Sequence, residues 1–351
     1  MKSISALVAA VVLTVICGCT GGRPYEKYTC SGSVWSTTYS IVYISPWNLD
    51  DSILAVMKQV EMSLSPFADS SLISRINRSE TAATDTLLRR VFLASQDINR
   101  CSGGAFDPTL SPLINLWGFG YSKGVAPTEP SAAQIDSALR LVGIDRCRLA
   151  GDTLIKADPG MTFNFSAITK GYACDLIGEM FLRNDVDCYM VEIGGEIALQ
   201  GRNYQGEKWH IQIDDPTMAN ASAGNHQQLT IVEISDCGIA TSGNYRNYRE
   251  QGGQRSWHTI SPVTGRPAIT PMLSATVIAP DCMTADALAT ACMAMQPDSA
   301  RAMIEAYPGA SALFVLAPTT PADTLQQTNV ATSHPDTVAS LAAILAAQRS
   351  I

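Results

Sequence analysis

The run from Gly103 to Gly120 reads Gly-Gly-Ala-Phe-Asp-Pro-Thr-Leu-Ser-Pro-Leu-Ile-Asn-Leu-Trp-Gly-Phe-Gly. Glycine and proline interrupt it too often for a long helix, and it is too apolar for a solvated linker. It predicts a fitted loop. Gly103 and Gly104 let backbone approach a ligand, Asp107 is held extended by the proline after it, and Trp117 and Phe119 offer flat apolar faces. Such a loop suits a planar ring with polar edges. It equally suits a buried loop whose aromatics are ordinary core, and the flanking segments have to decide.

Upstream, about Asp85 to Cys101 has the period of a helix that delivers the chain into the loop. Leu54 to Leu64 predicts an amphipathic helix, and Ser65 to Asn77 a turn followed by a short capped helix. Tyr28 to Ser45 alternates Thr, Tyr, Ile and Val with small polar residues and predicts a strand or hairpin, with Trp35 inside it as core anchor or ring-stacking residue.

Downstream, Ser131 to Leu141 is helical, and Cys147 to Lys156 predicts two strands around Gly151-Asp152. Phe163 to Ser166 looks like a strand end, after which Ala167-Ile168-Thr169-Lys170-Gly171 turns into a helix through Ala173, Ile177 and Phe181. A lysine and a glycine at a helix start make a place for a phosphate, because free N–H groups and one positive charge converge there. The segment lacks the flanking glycines of a Walker loop, and a surface lysine at a helix cap is the plainer alternative. Tyr189 to Gly201 predicts strand, Gly194-Gly195, strand, the glycine pair marking a bulge or a place where something presses on backbone. Gly206 to Asp214 and Gln228 to Ser235 are further strands.

Trp257 to Pro267 sets His258 just before a loop punctuated by proline and glycine. Thr284 predicts the N-cap of a helix running to about Met295, in which Asp286 and Thr290, four apart, share a face within reach of one small ion. The alternative is that Asp286 only complements the helix N-terminus and Thr290 bonds back to its own helix.

Composition narrows the classes. The chain has 351 residues, 46% of them hydrophobic, enough for a sizeable core, and shows no repeat at a fixed period. A formal net charge of -8 without a cluster of Lys and Arg argues against nucleic-acid binding. Lys2, the apolar run Ile4 to Ile16 and Ile16-Cys17-Gly18-Cys19 have the form of a bacterial lipoprotein signal, too short for a permanent membrane span. Residues 1–18 are expected to be removed, Cys19 acylated, and 19–27 to act as a tether facing the periplasm or cell exterior. Eight cysteines follow, from Cys30 to Cys292, with no Cys-x-x-Cys pair, so a zinc site is not expected and one or two disulfides are open.

Together, Gly104-Ala105-Phe106-Asp107-Pro108-Thr109 with Leu116-Trp117-Gly118-Phe119, Lys170-Gly171-Tyr172-Ala173, Gly194-Gly195-Glu196, Thr241-Ser242-Gly243, His258 to Pro267 and Ala285 to Thr290 resemble the ApbE family of membrane-anchored FAD:protein FMN transferases. The resemblance runs from about Tyr28 to Met295 and implies an α+β fold, a single compact domain at 28–316 of two interlocked sheet-and-helix halves with FAD between them. Residues 317–351, rich in Ala, Thr, Pro and Gln, fall outside it as a low-complexity tail with one weak helix. It implies FAD contacts at Trp35, Phe67, Ala105, Phe106, Asp107, Asn164, Lys170 and Ile260, Mg2+ ligands at Ala167 (carbonyl), Asp286 and Thr290, and a catalytic His258. The implied reaction moves FMN from FAD to a Thr or Ser hydroxyl of a target flavoprotein of a membrane redox complex and releases AMP. FAD hydrolysis to FMN and AMP, or flavin binding without turnover, are the alternatives. Trp35-Ser36 stands where the family usually has Met-Gly, Phe67 where Tyr is common, and Asn164 and Ser261 where Asp is common.

Overall fold

Tyr39, Ile41 and Tyr43 alternate toward one face, which makes the first part of the chain a β-hairpin, β1 (Glu26–Val34) with β2 (Thr37–Ser45). In this computed structural model, which describes residues 23–120, 129–216, 228–243, 248–251, 254–257, 259–317 and 328–332, the chain continues through α1 (Asp50–Leu64), α2 (Leu72–Asn77), α3 (Thr86–Cys101), α4 (Ser111–Leu116), α5 (Ala132–Leu139), β3 (Arg148–Ala150), β4 (Thr153–Ile155) and α6 (Ser166–Leu182). Then follow β5 (Tyr189–Ile193), β6 (Glu196–Gln200), β7 (Trp209–Asp214), β8 (Gln228–Ile234), β9 (Cys237–Gly243), β10 (Tyr248–Gln251), β11 (Gln254–Trp257), β12 (Met272–Ala279), α7 (Cys282–Met293), α8 (Pro297–Ala306), β13 (Ser311–Leu316) and β14 (Thr328–Thr332).

One antiparallel sheet carries the fold, in the order β1-β2-β5-β6-β9-β12-β13-β14. Its inner face, with Tyr43, Val191, Ile193, Ala240 and Val277, packs on α6 and α7 in the main core. Its outer face, with Leu199, Ile239, Ile278 and Leu313, is covered by Trp209, Ile211, Ile213 and Val232 of the β7–β8 hairpin. A smaller cluster joins Leu110, Leu113, Ile135 and Ile260 under Trp117 and Phe119. The α+β class is as the sequence implies. Among the described residues no helix is long and apolar enough to cross a membrane.

The sheet positions α7, and two glycines make the room. A Cβ on Gly238 of β9 would overlap the backbone at Asp281 and Cys282, and one on Gly171 of α6 would overlap the Cys282 carbonyl oxygen. The first turn of α7 is thus wedged between sheet and α6 at backbone contact distance. Gly171→Ala should destabilise the protein by about 1–3 kcal/mol, since backbone on both sides cannot yield. A urea titration showing an unchanged midpoint would contradict this packing.

Helix α7 begins earlier than its sequence predicts. Its N-cap is Asp281, which accepts from the Thr284 N–H at 2.8 Å, so Thr284 is not the cap. Asp175 of α6 takes the Cys282 and Met283 N–H groups at 2.9 and 2.8 Å. Two carboxylates therefore serve one helix N-terminus. Burial, with Asp281 adding to it, pushes the Asp175 carboxyl up to about 7 against the pull of those N–H groups. A carboxyl that ionises later in the fold than in the open chain favours the fold while protonated, so this stability is present below the ordinary 3.8 and is lost as pH rises to about 7. Asp175→Asn should flatten the fall in urea midpoint across that interval.

Other expectations also shift. Phe163–Ser166 is not a strand end: Asn77 brackets Phe163 with bonds of 2.8 and 2.7 Å and the Pro108 carbonyl accepts from the Asn164 N–H at 2.8 Å, so these backbone groups are satisfied without a ladder. Gly194 and Gly195, at φ 70° and 104°, form the β5–β6 hairpin turn and not a bulge. Residues 328–332, placed in the tail by composition, pair as β14 on β13. All eight cysteines among the described residues are free thiols.

Candidate active site

The loop that opened the sequence reading is a turn, a 3-10 turn and α4 in succession. Gly103 and Gly104 hold φ of 59° and 85°, which glycine alone takes without strain, and a Cβ built on either meets open space. They border a cavity of about 410 Å3 shared with Asn99, Asp107, Gly143 and Pro262. Two segments far apart in sequence, the Gly103–Asp107 run and the loop after Ile260, meet on this space.

Asp107 is extended, at φ −147°, as the following proline requires. Its carboxylate accepts the Thr109 N–H and hydroxyl at 2.8 and 2.6 Å and the Ile144 N–H at 3.0 Å, so it ties the loop to the segment after α5. Burial raises its pKa despite those bonds. Phe106 is core, Ala105 is half-buried, and Trp117 donates its indole N–H to the Gly265 carbonyl at 2.8 Å. Trp117 and Phe119 are half-buried and pack against the smaller cluster. Ile260 is buried in that cluster too.

The bond between the Pro108 carbonyl and the Asn164 N–H sets this loop beside the start of α6. Asn164 Oδ1 accepts from the Ser166 N–H at 2.9 Å, a turn-forming bond that an Asp there would make as well. Ser261 behaves alike: its Oγ accepts from the Val263 and Thr264 N–H groups at 3.3 Å, so the residue that replaces Asp still shapes the turn.

Lys170, one turn into α6, meets Glu196 at the end of the Gly194-Gly195 turn, Nζ to Oε1 2.5 Å, with side-chain exposures of 31% and 4%. Asp286 of α7 lies beside them, 2% exposed, its Oδ2 accepting from the Gly171 N–H at 3.0 Å. That N–H is the group an α-helix directs at the carbonyl four residues back, which is Ala167. Asp286 therefore stands at the Ala167 carbonyl's own helical partner. Of the residues of α7 only Thr290 is not buried, and its hydroxyl is 3.3 Å from that of Ser242 in the Thr241-Ser242-Gly243 run. Burial opposes the Lys170 charge, but Glu196 and Asp286 outweigh it and hold the ammonium above its ordinary value. Burial raises the carboxyls of Glu196 and Asp286, with Lys170 pulling both back.

Trp35 and Ser36 form the β1–β2 turn at φ 49° and 63°, with Trp35 half-buried against the core. Phe67 is 63% exposed in the loop between α1 and α2. His258 and Cys19 lie outside the described residues.

The model for the ApbE family matches residues 33–314. This chain belongs to the ApbE family. Among ApbE relatives, the FAD:protein FMN transferase of Vibrio cholerae is 37% identical over 311 residues, covering 86% of this chain and 90% of that protein. The Haemophilus influenzae FAD:protein FMN transferase is 32% identical over 319 residues, 87% of this chain and 90% of its own. The solved flavin transferase ApbE from Vibrio cholerae superposes with a TM-score of 0.77 at 33% identity, covering 88% of this chain and 98% of that one. The apo flavinyl transferase ApbE of Pseudomonas stutzeri gives 0.74 at 33% identity, covering 84% and 92%.

The donor set suits the small molecules this family implies. A carboxylate, a hydroxyl and a carbonyl are hard oxygen ligands of the kind Mg2+ takes, and no cluster of three His, Cys, Asp or Glu among the described residues offers a softer site. Among the described residues Glu196 Oε2 is buried without a hydrogen-bond partner, which marks it as a buried polar atom needing an explanation. Sequence reasoning quoted Glu196 in its motif but assigned it nothing; the signal was an acid directly after a paired-glycine turn. Asp175 was missed too, although it lies four residues after Gly171 on the face that meets α7.

Proposed function

We propose that this chain transfers FMN from FAD to a Thr or Ser hydroxyl of a target flavoprotein, a subunit of a membrane redox complex, and releases AMP. It is an enzyme, a flavin transferase acting on FAD and a protein. The observation that carries this reading is the meeting of Lys170, Glu196 and Asp286 at one corner, each from a different motif of the family.

The acceptor oxygen forms a bond to the FMN phosphorus while the anhydride bond to the AMP phosphate breaks, and the hydroxyl proton passes to His258. AMP departs with the bridging oxygen. Asp286, Thr290 and the Ala167 carbonyl would hold Mg2+, which when bound offsets the charge of the pyrophosphate. Lys170 adds a fixed positive charge where negative charge grows on the leaving phosphate. Gly103, Gly104 and Asp107 shape one wall for the nucleotide, with Trp35, Phe67, Asn164 and Ile260 as further FAD contacts carried over from the family.

Incubation with FAD, Mg2+ and an acceptor protein tests the reading. AMP together with covalently flavinylated acceptor is the expected result. AMP without labelled acceptor makes the chain an FAD pyrophosphatase, and flavin binding without AMP makes it a flavin-binding lipoprotein.

Acylation at Cys19 places the enzyme on a bacterial membrane facing the periplasm or cell exterior, beside membrane-bound acceptors. Cys19→Ser should be exported and leave the membrane fraction. Retention of that variant at high salt would mean that another segment anchors the chain.

A further inference from the structure

Lys170 has two acids within electrostatic reach, Glu196 and Asp286, and it sits on Glu196. Among the described residues Glu196 Oε1 has this ammonium as its partner and Oε2 has none, although the side chain is 4% exposed. A buried carboxylate kept for general stability has both oxygens satisfied. This one is satisfied only through Lys170. Asp286 accepts from the Gly171 N–H, the backbone group next to Lys170 in sequence, which sets it as the second acid beside this lysine. An ammonium that loses one of two anionic neighbours is drawn toward the other, because opposite charges attract more strongly where water is partly excluded.

We propose that Glu196 is a positioning residue: by holding the Lys170 ammonium it keeps that charge off Asp286 and leaves Asp286 open to a divalent cation. The inference rests on the Mg2+ role of Asp286 given above, and the two can fail separately. Without Glu196, a cation must compete with an ammonium for the same carboxylate. The deficit should vanish when the ammonium is removed as well, which a merely structural role for Glu196 would not allow.

The test is Mn2+ binding to the full protein, followed by electron paramagnetic resonance, for the parent, Glu196→Gln, Lys170→Met, the double variant and Asp286→Asn. Glu196→Gln should weaken Mn2+ about tenfold or more, and the double variant should bind within about twofold to threefold of Lys170→Met. Unchanged affinity in Glu196→Gln overturns the proposal. A deficit that persists in the double variant also overturns it, by showing that Glu196 acts on the metal or the fold directly. If Glu196→Gln does not fold, Glu196→Asp in the presence and absence of Lys170 reads the same coupling. Failure of Asp286→Asn to affect Mn2+ would instead remove the metal site itself, and the inference with it.

Discussion

Asp286→Asn should lower FMN transfer by on the order of a thousandfold while the protein stays folded. The size follows from the role proposed for the residue: a metal ion at a phosphoryl centre is worth several kcal/mol of charge stabilisation, and Asp286 would supply the only formal charge in the proposed ligand set. The fold is expected to survive because the carboxamide oxygen can still accept from the Gly171 N–H, and the new side chain has the same size. Thr290→Ala should be milder, because a neutral hydroxyl contributes less than a carboxylate. Single-turnover transfer with added Mg2+ measures both. Full activity of Asp286→Asn in chelator-treated buffer would take the metal out of the reaction.

The residues that were legible in the sequence share one property: their spacing already encodes their surroundings. Asp286 and Thr290 stand four apart in a helix otherwise made of apolar and small residues, so one face had to carry them, and the structure leaves only Thr290 of that helix unburied. Lys170-Gly171 at the start of a helix likewise reads locally, and so do the helices expected from about Asp85 and from Ser131, which the structure caps at those two residues. What was not legible depends on contacts between segments remote in sequence. The wedge between Gly171 and Gly238 fixes the start of α7, so the cap falls on Asp281 and not on Thr284. Trp117 and Phe119 looked fit to face a ring, yet both pack half-buried against the smaller cluster, and the chain returning at Gly265 takes the Trp117 indole N–H. Glu196 gave no sign of its lysine, because its partner comes from a helix that precedes its hairpin.

His258→Ala should bind FAD nearly as well as the parent and transfer FMN more slowly by a factor on the order of a hundred or more. The acceptor hydroxyl is a poor nucleophile at neutral pH, so some group must take its proton, and the acids of the site are already engaged. Asp107 accepts bonds from Thr109 and Ile144, Glu196 is paired with Lys170, and Asp286 accepts from Gly171 and is assigned to the cation in the proposed reaction. Lys170 is kept charged by its two carboxylates and has no lone pair to offer. An imidazole just before the Ser261–Gly265 turn is the remaining base in the family's motifs, and its ordinary pKa range suits a proton transfer near neutrality. Titration by flavin fluorescence beside a single-turnover assay separates binding from rate. If affinity falls in proportion to rate, His258 is a binding residue; if the rate is unchanged, the proton goes to another group, and Asp107, the acid bordering the cavity beside Gly103 and Gly104, becomes the next to replace.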